Sequence, residues 1–253
     1  MNYTLITGAS AGIGEVFAKQ LAETGNNLIL VARRKDKLDL LAEQLTSRYG
    51  IHVQTLAVDL AIPGSGSSLA DQIKEANWAI KGLINNAGFG DRGAFTDLPL
   101  DRQLNMIQLN VNTLVELTHC LLPNILEQQD GYIINVASTA AFQAGPNMAI
   151  YYATKAFVLS FSEALHEELK GKGVTVSTLC PGATLSEFAS EAHMTDTKLF
   201  KAGAMTAEAV VKKSLKRKKR AIVITGGKNK MMVWSGKMSP RFMTRKIAGW
   251  LQA

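Results

Sequence analysis

A chain of 253 residues that is 47% apolar has the size and composition of one large α/β domain rather than two small ones. Its formal charge of +7 divides unevenly: residues 1–200 hold 14 Lys and Arg against 20 Asp and Glu, and residues 201–253 hold 14 against 1. The composition and order exclude several classes. No apolar run is long enough to span a membrane, the start at Met1 reads as no secretory signal, and the four histidines and two cysteines show no metal-ligand spacing. Cys120 and Cys180 read as two reduced, buried thiols of a cytoplasmic protein.

Thr4 to Thr7 is a short apolar strand that runs into Gly8-Ala9-Ser10-Ala11-Gly12-Ile13-Gly14, and helical spacing resumes at Val16. Strand, glycine turn and helix in that order bring free N–H groups and the positive end of a helix dipole to a phosphate. Asn27 to Ala32 is an almost continuous apolar run, as expected of a parallel strand covered on both faces. It ends at Arg33-Arg34. In a dinucleotide site an acid just past the second strand binds a free 2′-hydroxyl and an arginine accommodates a 2′-phosphate, so the absence of an acid here favours NADP over NAD.

A helix over 38–49, a strand over 51–58 followed by Asp59, a flexible Gly/Ser connection and a helix over 69–77 come next. The strand Gly82-Leu83-Ile84 leads into Asn85-Asn86-Ala87-Gly88. A long helix over 101–128 carries Asn110 midway and Pro123 near its end, where a kink is expected. Alternating strands and helices indicate a doubly wound parallel sheet of about seven strands, a Rossmann-type α/β/α sandwich whose ligands sit at the carboxyl ends of the strands.

Three reactive side chains follow in one stretch. A strand over 132–137 ends at Ser138, and the next helix opens near Tyr151 with Lys155 one turn further on. Positions i and i+4 share a helix face, so phenol and ammonium point into the same space, where the cation is expected to lower the phenol's pKa toward one useful for proton transfer. Ser138 would hold a carbonyl oxygen beside them. A strand over 174–179 then turns out through Cys180-Pro181-Gly182-Ala183-Thr184. Residues 185–205 read as a lid-like loop with short helices, and a helix over 207–218 and a strand over 221–225 complete the sheet.

In these motifs the chain resembles the short-chain dehydrogenases/reductases from about Thr4 to Thr225. Thr7 to Gly14 is similar to the family's T-G-x-x-x-G-x-G loop, Asn85 to Gly88 to N-N-A-G, and Pro181-Gly182 to its P-G turn, with Ser138, Tyr151 and Lys155 as its catalytic group. The family's helix asparagine falls on Asn110 rather than Asn112, from its interval to Pro123. The resemblance implies an NADP(H)-dependent oxidoreductase. In it Lys155 contacts the coenzyme ribose, Tyr151 is the general acid/base, and Asn110 supports a water in a proton relay. Asp59 meets the adenine, Asn86 to Gly88 flank the dinucleotide, and Thr184 touches the nicotinamide carboxamide. It implies a small carbonyl or alcohol substrate, with a 3-oxoacyl thioester or 3-hydroxy acid as the alternative, a non-catalytic NADP-binding regulator as the reading from another class, and a homodimer or homotetramer.

Phe89, Phe142, Met148, Leu185 and Phe188 stand where the substrate side should be and favour an apolar ketone over a sugar. The basic run Lys212 to Arg220 reads as a solvated helix face, with an anionic partner as the sharper alternative and nucleic acid set aside. Residues 1–225 form the catalytic domain on this reading. Residues 226–253 form a basic amphipathic extension that packs on the body or a partner subunit in preference to a membrane surface.

Overall fold

The computed structural model describes residues 1–194, 196–201 and 203–252. Its first half runs β1 (Asn2–Thr7), α1 (Gly12–Ala22), β2 (Asn27–Ala32), α2 (Lys35–Tyr49), β3 (Val53–Ala57), α3 (Ser65–Glu75) and β4 (Ala79–Asn85). After α4 (Leu100–Ile107) come a π-helical turn (Gln108–Asn112), α5 (Thr113–Glu127), β5 (Gly131–Val136), a 3-10 turn (Thr139–Phe142), α6 (Ala149–Glu168) and β6 (Val174–Cys180). The remainder is β7 (Thr184–Leu185), α7 (Glu187–Glu191), α8 (Lys198–Lys201), β8 (Met205–Thr206), α9 (Ala207–Lys216), β9 (Ile222–Ile224), α10 (Gly227–Met238) and α11 (Arg241–Gln252).

Seven strands form one parallel sheet in the order β3-β2-β1-β4-β5-β6-β9, and β7 pairs with β8 outside it. β2 is apolar on both faces because both faces are covered. Leu28 and Leu30 pack on one side with Phe17, Leu38 and Val210, while Ile29 and Val31 pack on the other with Leu69, Leu117 and Ile125. Each such side chain fully withdrawn from water contributes about 1.5–3 kcal/mol, so β2 is held between β1 and β3 by burial on both of its faces. The chain leaves β1 toward β2 on one side and reaches β4 on the other. The cleft between the ends of β1 and β4 is therefore the topological switch point of the sheet.

A polar chain runs through this otherwise apolar layer just below the strand ends. Asn85 Nδ2 donates to Asn135 Oδ1 at 2.8 Å and to Thr118 Oγ1 at 3.0 Å, and Asn135 Nδ2 donates to Ser162 Oγ at 2.8 Å, tying β4, β5, α5 and α6 together. Asn135 is fully buried. Its replacement by alanine removes two of these bonds and strands a buried donor, a cost of about 2–3 kcal/mol. The expected result is a melting temperature lower by roughly 4–10 °C for a chain of this size; an unchanged thermal transition would show that the chain of amides carries no stability.

Two expectations are corrected. The long helix is interrupted, but at Gln108–Asn112, where one turn widens to a π-helix, and α5 continues through Pro123 to Glu127. Cys120 is exposed on the outer face of α5, and only Cys180 of the two thiols is buried. The segment 185–205, read as a loop with short helices, does contain two, α7 and α8, and its ends carry the short paired strands β7 and β8. Among the described residues, no helix is long and apolar enough to cross a membrane.

Candidate active site

The ends of β1 and β4 are stitched by one hydroxyl and one amide. Thr7 Oγ1 accepts from the Asn86 and Ala87 backbone N–H groups at 3.0 and 2.9 Å, and Asn86 Nδ2 donates to the carbonyls of Thr7 at 2.9 Å and Gly8 at 3.2 Å. Gly8 has φ +66°, and a Cβ there would stand 2.8 Å from Asn86 Nδ2, so both backbone conformation and crowding exclude a side chain. Gly14 lies behind the loop against the Gly8 carbonyl. The result is that α1 begins with no side-chain cap at Ala11, and its first residues, Gly12 and Ile13, open into a cavity. An uncapped helix N-terminus facing a cavity has the donors and dipole for a pyrophosphate.

The same cavity continues past Ala87 and Gly88 to Ser138, Tyr151 and Lys155, and on to Pro181, Gly182 and Thr184. Ser138 is held in place as the cap of the 3-10 turn, its Oγ accepting from Ala140 N at 3.1 Å, and it hydrogen-bonds the Tyr151 hydroxyl. Tyr151 and Lys155 lie one turn apart near the start of α6, with Lys155 Nζ 5.8 Å from the phenol ring centroid and donating to Val136 O at 2.9 Å. Both are buried.

Burial, not the lysine, governs the acidity of this phenol. Withdrawal from water raises the Tyr151 pKa well above that of free tyrosine, and the Ser138 hydrogen bond offsets only part of the rise. The expected acidification by Lys155 is thus reversed with protein groups alone around the phenol. Lys155 is itself dry, and burial pulls its pKa down to about 8, against a smaller upward pull from Cys180. The arrangement keeps a proton on the tyrosine at neutral pH beside a cation that carries little solvation.

Asn110 sits in the π turn and is 1% exposed, whereas Asn112 points outward to bond Gln108. The Asn110 amide is bound on both sides by Phe89, accepting from its N–H at 3.1 Å and donating to its carbonyl at 3.0 Å, with Thr154 Oγ1 also 3.1 Å from Nδ2. A glycine at position 88 lets Asn110 come so close to this loop, since a Cβ there would be 2.8 Å from Asn110 Oδ1. Asn110 stands behind the cavity wall rather than in it.

Besides Gly14 behind the loop, two other expected residues also lie off the cavity. Asp59 turns its carboxylate to the backbone N–H of Ala61 at 3.0 Å, and Arg33 is exposed. Arg34 does line the cavity, where its guanidinium donates to Ser10 Oγ at 3.1 and 3.2 Å. The sequence reading missed the acid on its other side: Glu187, from α7, accepts from Arg34 Nη2 at 2.8 Å and from Lys37 Nζ at 3.0 Å. It also missed Ser186, which presses on Gly12. Of the five apolar residues assigned to the substrate side, Phe188 lines the cavity, 5.6 Å from the Tyr151 ring. Leu185 is exposed, and Phe142 and Met148 face other depressions. The apolar end of the cavity is supplied instead by Met194, Phe200, Met232, Ala248 and Leu251, the last three from α10 and α11.

A family model described as short chain dehydrogenase matches residues 2–197. The chain belongs to the short chain dehydrogenase family. Within it, a very-long-chain 3-oxoacyl-CoA reductase of Anas platyrhynchos is 35% identical over 185 residues, which is 71% of this chain and 58% of the duck protein. The chain therefore spans little more than half the length of that relative. A solved structure concerned with 7beta-hydroxysteroid dehydrogenase stereoselectivity superposes with a TM-score of 0.88 at 27% identity, covering 98% of this chain and 96% of that one. A short-chain dehydrogenase from Sphingobium yanoikuyae in complex with NADPH has a TM-score of 0.83 at 31% identity over 94% of each chain. One from Burkholderia phymatum in complex with NAD has 0.81 at 25% identity over 92% of each. Solved short chain dehydrogenases with either coenzyme thus share this fold.

Proposed function

We propose that this short chain dehydrogenase is an NADP(H)-dependent reductase of apolar ketones, with Tyr151 as general acid. The observation that carries the proposal is a buried, protonated phenol hydrogen-bonded to Ser138 and facing the same cavity as Lys155 and the glycine loop. A coenzyme fits that cavity: α1 would meet the pyrophosphate, Ser10 and Arg34 the 2′-phosphate end, and Thr184 with Gly182 the nicotinamide end. When bound, it supplies the hydride.

The chain's own groups do the rest. Ser138, fixed by its capping bond, orients a substrate carbonyl oxygen toward Tyr151. Tyr151 gives up its proton to that oxygen, and the ammonium of Lys155 stabilises the phenolate as it forms, an effect strengthened by the low dielectric around both groups. Asn110 positions Phe89 and the Lys155 side of the wall through its three hydrogen bonds, and a relay water next to it would restore the proton. Arg33 and Asp59 would act on the adenosine end from outside the cavity, and the Asn86 to Gly88 backbone would flank the dinucleotide from its wall.

The apolar lining from α8, α10 and α11 favours substrates with a long or bulky hydrocarbon part over sugars, and supports a 3-oxoacyl thioester as the second reading. We read residues 226–253 as an extension that closes this end of the cavity on the 1–225 body, and the enzyme as a cytoplasmic homodimer or homotetramer.

The test is consumption of NADPH, followed at its absorbance, against a panel of bulky ketones and 3-oxoacyl thioesters of increasing chain length. Turnover is expected to rise with apolar bulk. Tight NADPH binding with no turnover anywhere on the panel would make the protein a coenzyme-binding regulator instead.

A further inference from the structure

The cation subsite beside the glycine loop already holds an anion. Both carboxylate oxygens of Glu187 are engaged, Oε2 by Arg34 and Oε1 by Lys37, while the same Arg34 guanidinium is oriented by Ser10 Oγ. Ser10, Arg34 and Glu187 all face the one cavity. Their hydrogen bonds, Arg34 first, hold the Glu187 carboxyl below the usual carboxylate range, so it stays charged throughout the neutral region.

We infer that Glu187 is a coenzyme-selecting residue whose carboxylate occupies the place of the 2′-phosphate and competes with it for Arg34 and Lys37. This rests on the NADP(H) reading above. A phosphate monoester dianion needs the same charge-assisted donors that Glu187 uses, and two anions cannot share them without repulsion. A coenzyme with a free 2′-hydroxyl makes no such demand and leaves the carboxylate in place as an acceptor. An acid that dinucleotide folds otherwise supply at the end of the second strand is here supplied from the far side of the cleft. Glu187 therefore narrows the preference for the phosphorylated coenzyme.

The position of α7 couples this contact to the catalytic end. Ser186 rests on Gly12, whose Cβ would come within 3.0 Å of the serine Cβ, and Phe188 packs on the Tyr151 ring at 5.6 Å. Displacing Glu187 moves a residue flanked by both contacts.

Calorimetric titration of the full chain with 2′,5′-ADP and with 5′-ADP at low salt separates the possibilities without turnover. Glu187→Gln keeps the side-chain shape and removes the charge. Because the two ion pairs are half exposed, the expected gain in 2′,5′-ADP affinity is about three- to tenfold, with 5′-ADP changed by less than about twofold. Arg34→Ala is expected to weaken 2′,5′-ADP by at least about fivefold and 5′-ADP little. If Arg34→Ala behaves so but Glu187→Gln leaves 2′,5′-ADP unchanged or weaker, the selecting role of Glu187 is wrong and the NADP(H) reading stands. If Arg34→Ala, alone and with Arg33→Asp, affects both nucleotides equally, the NADP(H) reading fails and this inference with it.

Discussion

Tyr151→Phe is expected to lower kcat by about 10³-fold in both directions while NADPH affinity stays within about threefold of the unaltered chain. The size follows from what general acid catalysis by one positioned group supplies, about 10²–10⁴-fold, at a site where no other described hydroxyl is both beside Ser138 and over Lys155. The change is a clean deletion. Phenylalanine retains the packing of the ring against Tyr152 and Phe188, and the atom removed makes its hydrogen bond to Ser138, which keeps its capping contact with Ala140. Stability should therefore move by about 1 kcal/mol or less. Steady-state rates and a coenzyme titration on the same preparation make the measurement. A variant that keeps more than about a tenth of the original kcat would place the proton donor elsewhere.

What could be read without coordinates was whatever depends on local order. Asn27 to Ala32 announces a strand covered on both sides because Leu28 to Ala32 is apolar without a break, and the glycines at 8, 12 and 14 announce a tight turn because β1 and α1 flank them. The short spacing from Ser138 to Lys155 carried the reactive group for the same reason. Three things were not legible. The π turn at Gln108–Asn112 changes the hydrogen-bonding of one turn with no change in residue pattern, so Asn110 was placed in the middle of an unbroken helix. Glu187 meets Arg34 across 153 residues of chain, and no periodicity links them. The sign of the Tyr151 shift depends on how much water the fold removes, which the i,i+4 spacing to Lys155 does not contain. The apolar wall was misassigned for a related reason: Phe142, Met148 and Leu185 lie near the strand ends in sequence but face away, and Met232, Ala248 and Leu251 return to the cavity from the end of the chain. In each of these, tertiary placement overrode local propensity, at the part of the molecule where function is concentrated.

The second large effect concerns Lys155 and is a dependence on pH. Burial holds its pKa at about 8, below the 10.5 of a free lysine, so the ammonium is largely present at pH 7 and largely gone at pH 9. On the proposed mechanism, reduction needs that charge when the phenolate forms. The expected kcat/KM for reduction is therefore level below about pH 7 and falls about tenfold per pH unit above about 8, because kcat/KM reports the groups of the free enzyme. Tyr151, raised by burial, titrates above this range and does not produce the limb. Lys155→Arg keeps a charge that does not titrate below about pH 12, so the limb should vanish even though the level falls. Stability runs the other way. Between about pH 8 and 10.5 the unfolded chain binds the lysine proton and the folded chain does not, so folding strengthens as pH rises through that window, and at neutral pH the buried ammonium costs on the order of 3 kcal/mol. Lys155→Met should for that reason raise the melting temperature at pH 7 by several degrees while removing about 10²–10³-fold of kcat. A variant both slower and less stable, or a rate profile whose fall near pH 8 survives Lys155→Arg, would mean that the charge on this side chain is not what the phenol relies on.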